Sequence, residues 1–450
     1  MSGPDAKASQ ADGASASAGP AKPQKPPNPA FRMMGLPNFR LKLPSRNWMI
    51  FLGVTGTWTA AVMYDRREKK RIQKKWTKLV EHIARETLDE HQMPRKLTIY
   101  ISAPPADGLV AARDHFNEYV KPILVAAALD WDAIEGRREG DVRAGLAERI
   151  RTLRKRRGEF TKEPVELSVK QIVEEMRQRV GIRDWDGPGG DVVIGRHTWK
   201  EYVRGLHEGW LGPLDNPNPV VEETPAPPPA TPTPAEVPSD ATVPTTVHDS
   251  SPEAEEAEKP KEEEKKAKKN TQPLPFNTTL QYRDSNLPPT CPQALGPATA
   301  IPLPHLLGFF NFPIRIYRFL NRRQVADDIG RQTAAAVLGA YRPFHTEAET
   351  ALSESSAESS KWEQQRLLAN EEPDWHKNAK KREEGDEKER VWLDEMVVDP
   401  RIGERMRKFE LTADAEERAK RPVQDKGESW FQGLWPKKEK KGWEGLADDA

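Results

Sequence analysis

The chain has 450 residues, of which 36% are hydrophobic, 31% are charged and 41 are proline, so a large part of it lies outside any packed core. Lysine plus arginine equals aspartate plus glutamate at 70 each, and this balance favours no nucleic-acid partner. The single cysteine, Cys291, excludes an intrachain disulfide and a zinc site built from paired cysteines.

Residues 1–30 consist mostly of alanine, serine, glycine, proline and lysine. They contain too little apolar surface to fold, and they lack the apolar core of a secretory signal peptide. We predict that 1–30 is disordered and that the protein is not secreted.

The most apolar stretch of the N-terminal part, WMIFLGVTGTWTAAVMY, runs uncharged from Trp48 to Tyr64. At about 1.5 Å per helical residue it reaches roughly 25 Å, the lower limit for a hydrocarbon core of about 30 Å. We predict one transmembrane helix at 47–65, and the alternative is a buried core helix. Its aromatic residues suit the bilayer interface and its glycines suit a partner helix. The predicted contact residues are Trp48, Gly53, Gly56, Trp58 and Tyr64.

A basic run follows the apolar stretch directly. It consists of Arg66, Arg67, Lys69, Lys70 and Arg71. These residues are candidates for contact with lipid headgroups, and the alternative is that they form a solvated helix face. The same two interpretations apply to the basic stretch Arg149–Arg157. The flank after the apolar stretch is more basic than the flank before it, so the positive-inside rule by itself would keep the C-terminal part on the side of synthesis.

Strand patterns alternate with helical patterns between residues 66 and 212. This alternation predicts an α/β domain with a small, mostly parallel sheet covered by helices. We predict strands at Leu97–Ser102, within Ile123–Ile134 and at Asp191–Gly195, and helices from residue 66 to about His91, at about Leu109–Val120, at Gly140–Arg157, around Ile172 and around Trp199–Trp210.

The second half of the chain begins with a segment rich in proline, glutamate and lysine, 213–283, which we predict to be a disordered linker. A helical part at 301–420 is expected to pack on the α/β domain, with helices at Gln324–Leu338 and Glu389–Phe409, and a loosely ordered tail at 421–450 follows.

Within this part, His305–Leu320 is strongly apolar. It either completes the α/β core or lies on the bilayer surface. The candidate partner-binding residues are Leu306, Phe309, Phe310, Phe312 and Tyr317.

No enzyme motif is present. The sequence contains no HExxH, GxSxG or P-loop pattern, and no GxGxxG follows a strand, so we predict no catalytic, cofactor-binding or metal-binding residues. The alternative is a membrane-tethered lipid- or nucleotide-binding enzyme that uses the glycine-rich loop Gly187–Asp191, although that loop precedes its strand. Asp107, after the first strand, reads as an ordinary turn residue or a ligand contact.

Four long runs resemble the fungal Tim54 family of the mitochondrial inner-membrane carrier translocase. They are Pro37–Trp76, Lys96–Arg143, Asp191–Pro213 and Pro304–Gly339. The similarity covers roughly 30–213 and 301–420 and skips the linker.

This resemblance implies a scaffold subunit without catalysis or cofactor. It implies a single span in the mitochondrial inner membrane, with the N-terminus in the matrix and the large domain in the intermembrane space, an orientation opposite to the one that charge counting favours. The implied partners are the channel-forming subunit, the hexameric small Tim chaperones and inner-membrane lipids, and the implied task is insertion of multi-pass carriers.

Overall fold

The computed structural model describes residues 44–161, 169–185, 187, 189–217, 272–345, 362–379 and 389–421. The segments 1–30 and 422–450 and most of the linker prediction lie outside these residues. The chain forms two compact units, Met1–Ala61 and Val62–Ala450.

Twelve α-helices occur in the described residues. They are α1 Arg46–Val80, α2 Leu109–His115, α3 Lys121–Ala126, α4 Asp141–Arg156, α5 Val169–Arg179, α6 Arg196–Leu211, α7 Phe312–Leu320, α8 Arg322–Leu338, α9 Glu363–Arg366, α10 Glu372–Trp375, α11 Pro400–Gly403 and α12 Ala413–Lys420. A π-helix at Phe116–Val120 connects α2 with α3.

The predicted transmembrane segment 47–65 is helical and forms the first part of α1. No helix in the described part of the chain combines the length and the mean hydropathy needed to cross a membrane. The structure therefore confirms the helix but not the span. The helix was also predicted to run to about His91, which is wrong: α1 ends at Val80, and a 3-10 turn at Ile83–Arg85 follows.

Six strands form one sheet in the order β2-β1-β3-β4-β6-β5. They are β1 Lys96–Ser102, β2 Asp130–Gly136, β3 Asp191–Ile194, β4 Pro297–Ile301, β5 Tyr341–Pro343 and β6 Arg407–Phe409. All neighbouring pairs are parallel except the antiparallel pair β5 and β6. This confirms the mixed α/β class with a largely parallel sheet.

The C-terminal half contributes three of these strands, so it is not only helical. The predicted helix at Glu389–Phe409 is wrong, because this stretch forms turns, the short α11 and β6. Met396 and Val398 are both buried, a spacing of two that is typical of extended chain. Pro400 then occupies the first turn of α11, the helical position that tolerates proline best.

Two apolar layers cover the sheet. In β1, Leu97, Ile99 and Ile101 pack on one side, with α1, α2, α3 and α8. Tyr100 packs on the other side, with α4 and α6. Successive side chains of a strand point to opposite faces, so this alternating burial follows directly from the extended backbone.

The second half of α1 belongs to the first of these layers. Trp76 is buried, and its indole Nε1 donates to Asp327 Oδ1 of α8 at 2.9 Å. A Cβ atom on Gly330 of α8 would overlap the Trp76 ring. The two helices therefore pack closely along α8, and this holds the C-terminal half of α1 on the domain.

Residues 272–283, which the sequence assigns to the disordered linker, pack on the second layer. The guanidinium carbon of Arg151 lies 3.6 Å from the ring centroid of Phe276, and Tyr282 is buried. The disorder prediction is therefore wrong for 272–283, because Phe276 and Tyr282 pack on the α/β domain.

Candidate functional site

The carboxyl edge of the sheet is the first place to look for a ligand site. In doubly wound sheets, ligands bind where neighbouring strands lead to helices on opposite faces, outside the strand ends. Here that point lies between β1 and β3, since β2 lies on one side of β1 while β3 and β4 lie on the other. The N-terminus of α6, directly after β3, would meet an anionic group at this point.

The chain itself fills the anion position at the start of α6. Glu371 is buried, and its two carboxylate oxygens accept hydrogen bonds from the backbone N–H groups of Arg196 at 3.0 Å and Leu303 at 2.7 Å. Gly195, with φ +88°, makes the turn into the helix. Burial raises the pKa of Glu371 to about 7, although both hydrogen bonds lower it. An internal carboxylate therefore occupies the place that a phosphate would take.

The N-terminus of α4, which follows β2, is closed in the same way. The backbone N–H of Val142 donates to Glu201 Oε2 at 3.1 Å, and Trp392 Nε1 donates to Glu201 Oε1 at 2.6 Å. Glu201 is completely buried, and this burial raises its pKa to about 7. The N-termini of α4 and α6 are thus each bound by a carboxylate of the same chain.

The basic stretch Arg149–Arg157 proves to be largely an internal binding element. Arg151 Nη2 lies 2.7 Å from Glu208 Oε1, and Arg143 pairs with the other oxygen of the same buried carboxylate. Arg154 Nη1 donates to the carbonyl oxygens of Gly209 at 2.8 Å and Gly212 at 2.9 Å. The interpretation of this stretch as a lipid-binding or solvated face is therefore wrong for Arg151 and Arg154.

The glycine-rich loop Gly187–Asp191 lies at the amino end of β3, away from the carboxyl edge. Gly190 has φ +112°, and a Cβ atom there would overlap the Phe409 ring. Tyr202 donates to Asp191 Oδ2 at 2.7 Å, and burial raises the pKa of the Asp191 carboxyl group. Packing of the chain on itself thus explains Gly190 and Asp191, so the nucleotide-loop alternative loses its support.

The other sequence-based site candidates also show ordinary contacts. Asp107 Oδ1 accepts a hydrogen bond from Gly108 N at 2.7 Å, as in a local turn, and Oδ2 lies 3.9 Å from His305 Nε2. Among the described residues, no group of three or more histidine, cysteine, aspartate or glutamate side chains is placed to hold a metal ion.

The first part of α1 presents apolar side chains that the described residues leave largely uncovered. The exposed fraction is 58% for Trp48 and 66% for Val54. A Cβ atom on Gly53 or Gly56 would meet nothing within 4 Å. Thr57 Oγ1 donates to the Gly53 carbonyl at 2.7 Å, and Thr55 and Thr59 bond backbone carbonyls in the same way, so these hydroxyl groups are satisfied inside the helix. Trp58 and Tyr64 are exposed as well.

The predicted headgroup residues have different environments. Arg66, Arg67 and Lys70 are exposed, and Arg71 is an exposed partner of Glu68 at 2.7 Å. Lys69 is half-buried, pairs with Glu118 and lies 4.7 Å from the ring centroid of Tyr119. Lys69 therefore connects α1 to the π-helix, whereas the other four side chains are exposed.

The predicted partner surface is nearly all exposed. The exposed fractions are 87% for Phe309, 94% for Phe310, 57% for Phe312 and 62% for Tyr317, whereas Leu306 is half-buried. No residue of α7 is buried. The expectation that this segment completes the α/β core is therefore wrong for α7, although the following helix α8 does enter the core.

Sequence reasoning did not identify the carboxylates that close the sheet edge. Glu371 binds a backbone group 175 positions away, and Glu201 receives the Trp392 hydrogen bond across 191 positions. A lone glutamate in a polar segment carries no local signal of such a role. Only tertiary contact brings these groups together.

Residues 28–409 match the sequence model of a family described as inner membrane protein import complex subunit Tim54. A protein of Aspergillus oryzae named mitochondrial import inner membrane translocase subunit tim54 is 48% identical over 404 residues, which cover 86% of this chain and 88% of the relative. A Neurospora crassa protein of the same name is 46% identical over 425 residues, covering 92% and 87%. A Saccharomyces cerevisiae protein, likewise named, is 28% identical over 474 residues, covering 85% and 94%.

Proposed function

The chain belongs to the Tim54 family and is a subunit of the mitochondrial inner-membrane import translocase, and from this premise we propose that it acts as a non-catalytic scaffold. In this role it stabilises the channel-forming subunit and receives the small Tim chaperones that deliver multi-pass carrier precursors. It supplies binding surfaces, while insertion is a property of the whole complex.

The closed carboxyl edge of the sheet is the observation that carries the non-catalytic part of this proposal. Glu371 and Glu201 occupy two of the helix N-termini at the carboxyl edge, where a doubly wound fold can hold a phosphate or a cofactor. Ligand binding there would require displacement of buried carboxylates that already bind two helices. The fold serves as a rigid support for surfaces elsewhere.

The apolar part of α1, Trp48–Tyr64, is the proposed membrane attachment. Its exposed apolar side chains and internally bonded threonine hydroxyls suit a lipid environment. Gly53 and Gly56 are open to a close approach by a helix of the channel-forming subunit. In this proposal the N-terminus lies in the matrix and the domain lies in the intermembrane space.

Helix α5 is the proposed docking site for the chaperones. It is amphipathic, yet its apolar residues remain exposed: 48% for Ile172, 56% for Met176 and, just after the helix, 72% for Val180. Arg156 of α4 binds Glu174 of α5 at 2.8 Å, which connects the helix to the domain through its polar side. An exposed apolar helix face suits a hydrophobic protein partner.

Native purification of the tagged full chain in mild detergent, followed by mass spectrometry, tests the scaffold. We expect the channel-forming subunit and the small chaperones to co-purify. Recovery of the chain alone, or with lipid-metabolic enzymes only, would contradict the proposal.

Two variants separate the two partners. G53L combined with G56L should reduce recovery of the channel subunit and leave the chaperones bound. Ile172→Asp combined with Met176→Asp should have the opposite effect. Val110→Asp, at an equally exposed position (64%) of α2, is the matched control. Equal recovery of both partners from all three variants would rule out these two surfaces.

A further inference from the structure

The exposed aromatic segment Leu306–Leu320 is attached close to the end of the apolar stretch of α1. The segment ends at Leu320, two residues before α8 begins at Arg322, and the start of α8 contacts Tyr64 and Asp65 of α1. The backbone N–H of Arg323 donates to Asp65 Oδ1 at 3.2 Å, and its guanidinium carbon lies 5.2 Å from the Tyr64 ring centroid. Tyr64 is the last residue of the uncharged stretch. Arg323 therefore places the end of the segment close to the last residue of the uncharged stretch.

The orientation of α7 is determined by its less exposed side. Arg318 forms an ion pair with Asp374, and Ile316 and Leu320 are half-buried. Phe312 and Tyr317 face away from the protein, with 57% and 62% of their side chains exposed. The helix thus rests on the domain by one side and presents an aromatic side outward.

The charges around this aromatic side have one sign. No aspartate or glutamate occurs from Ile301 to Ala326, whereas four arginines do. Arg315 and Arg322 are exposed, and Arg322 covers the Phe319 ring at 4.9 Å. Phenylalanine and tyrosine flanked by arginine are typical of helices that lie in the interface of a bilayer containing acidic lipids. A protein-binding surface would not require this absence of acidic residues.

We propose that Leu306–Leu320 lies in the headgroup region of the bilayer, with Phe309, Phe310 and Phe312 inserted among the lipids. The exposed arginines then contact acidic phospholipid headgroups. The inference rests on the proposed membrane attachment of α1 and adds a second lipid contact. Two lipid contacts on one chain bind a membrane more strongly than either contact alone.

Site-specific fluorescence on the full chain tests this contact. The only cysteine is changed by Cys291→Ser, and a polarity-sensitive fluorophore is attached after Phe310→Cys. The labelled protein is reconstituted into vesicles of equimolar phosphatidylcholine and phosphatidylglycerol, with or without brominated phosphatidylcholine. Leu280→Cys is the matched control, because Leu280 is 87% exposed, close to the 94% of Phe310, and lies two residues from Tyr282 of the opposite layer.

We expect brominated lipid to quench the label at position 310 several-fold more strongly than the label at 280. Equal, weak quenching at both positions would overturn the inference. So would a label at 310 that is shielded from aqueous iodide but not quenched by brominated lipid, because a protein surface, such as the tail 422–450 or a second copy, would then cover the segment.

A third label, introduced by Val54→Cys, separates this inference from the proposed attachment of α1. Quenching at 54 without quenching at 310 would overturn only the second lipid contact. Absence of quenching at 54 would contradict the membrane attachment itself, and the inference would fall with it.

Discussion

Helices α6 and α7 differ in a way that their composition does not suggest. All sixteen residues of α6 are buried, although seven of them are arginine, histidine, lysine or glutamate. None of the nine residues of α7 is buried, although most of them are apolar. The more polar helix lies inside the protein and the more apolar helix lies on its surface.

The contrast shows what burial requires. Every charged side chain of α6 has a partner: Glu208 has two arginines, Glu201 has backbone and indole N–H groups, and Arg204 has Glu389. Buried charges are tolerated when they are paired and hydrogen-bonded. The outer aromatic side of α7 has no comparable cover among the described residues. A polar helix can therefore lie in the interior when its charges are paired, while a mostly apolar helix can lie at the surface.

The largest effect is expected at the centre of the buried charges. Glu208→Gln leaves Arg143 and Arg151 buried without a full counter-charge, which should cost about 3 to 5 kcal/mol of unfolding free energy. Denaturant unfolding of the full chain in detergent measures it. Glu174→Gln removes the exposed pair with Arg156 and should change stability by no more than about 1 kcal/mol. Equal losses of unfolding free energy from the two substitutions would mean that burial of the charge pairs of α6 does not affect stability.

The next effect concerns pH. His207 Nδ1 lies 2.7 Å from the Val203 carbonyl, and Nε2 accepts the Asp399 N–H at 2.9 Å, so only the neutral ring fits. Burial lowers its pKa to about 4. Because the folded pKa lies below the unfolded value of about 6.5, its stabilisation is complete above pH 6.5 and is lost as the pH falls toward 4, up to roughly 3 kcal/mol.

His207→Gln tests this, since glutamine can donate and accept hydrogen bonds but does not titrate. The difference in unfolding free energy between the original protein and the variant should shrink as the pH falls from 6.5 to 4. A difference that stays constant over this range would show that His207 does not titrate as described. Glu201 and Glu371 have raised pKa values, so their contribution to stability increases as the pH falls. Both groups are present in the original protein and in the variant, so their contributions cancel in the difference.

A smaller effect is expected where α8 enters the core directly after α7. Gly330→Ala places a methyl group against the Trp76 ring and should destabilise the protein by about 1 to 3 kcal/mol. Gly296→Ala is the control, since a Cβ atom there meets nothing within 4 Å. If Gly330→Ala lowered the unfolding free energy no more than the control does, α1 and α8 would not pack as closely as described.

The smallest effect belongs to α7 itself. Ile314→Thr, at a side chain that is 48% exposed, should change the unfolding free energy in detergent by less than about 0.5 kcal/mol. Val203→Thr on α6 introduces a hydroxyl group at a completely buried position and should cost clearly more. A large loss from Ile314→Thr would indicate that α7 belongs to the core and would end the contrast between the two helices.

Local patterns were sufficient for much of the fold. The alternation of β1 and the helical spacing of α4, α6 and α8 predict these elements within a few residues of their observed bounds. The same reasoning failed at Glu389–Phe409, where apolar residues recur without helical structure because the chain follows the neighbouring sheet and α6. It also failed to show that Arg151 and Arg154 are buried, since a basic run looks alike whether it faces water or a buried carboxylate.

The sequence by itself determined the α/β class, the alternation of strands with helices, the mostly parallel sheet, the apolar stretch Trp48–Tyr64 and the family. These follow from periodicity and from long runs of similar residues, which are local properties of the chain. Only the tertiary structure decided that Glu371 and Glu201 close the carboxyl edge, that α6 is buried and that α7 is exposed. Each of these depends on groups far apart in sequence, because desolvation of a charge and shielding of an apolar surface are set by whatever folds against them.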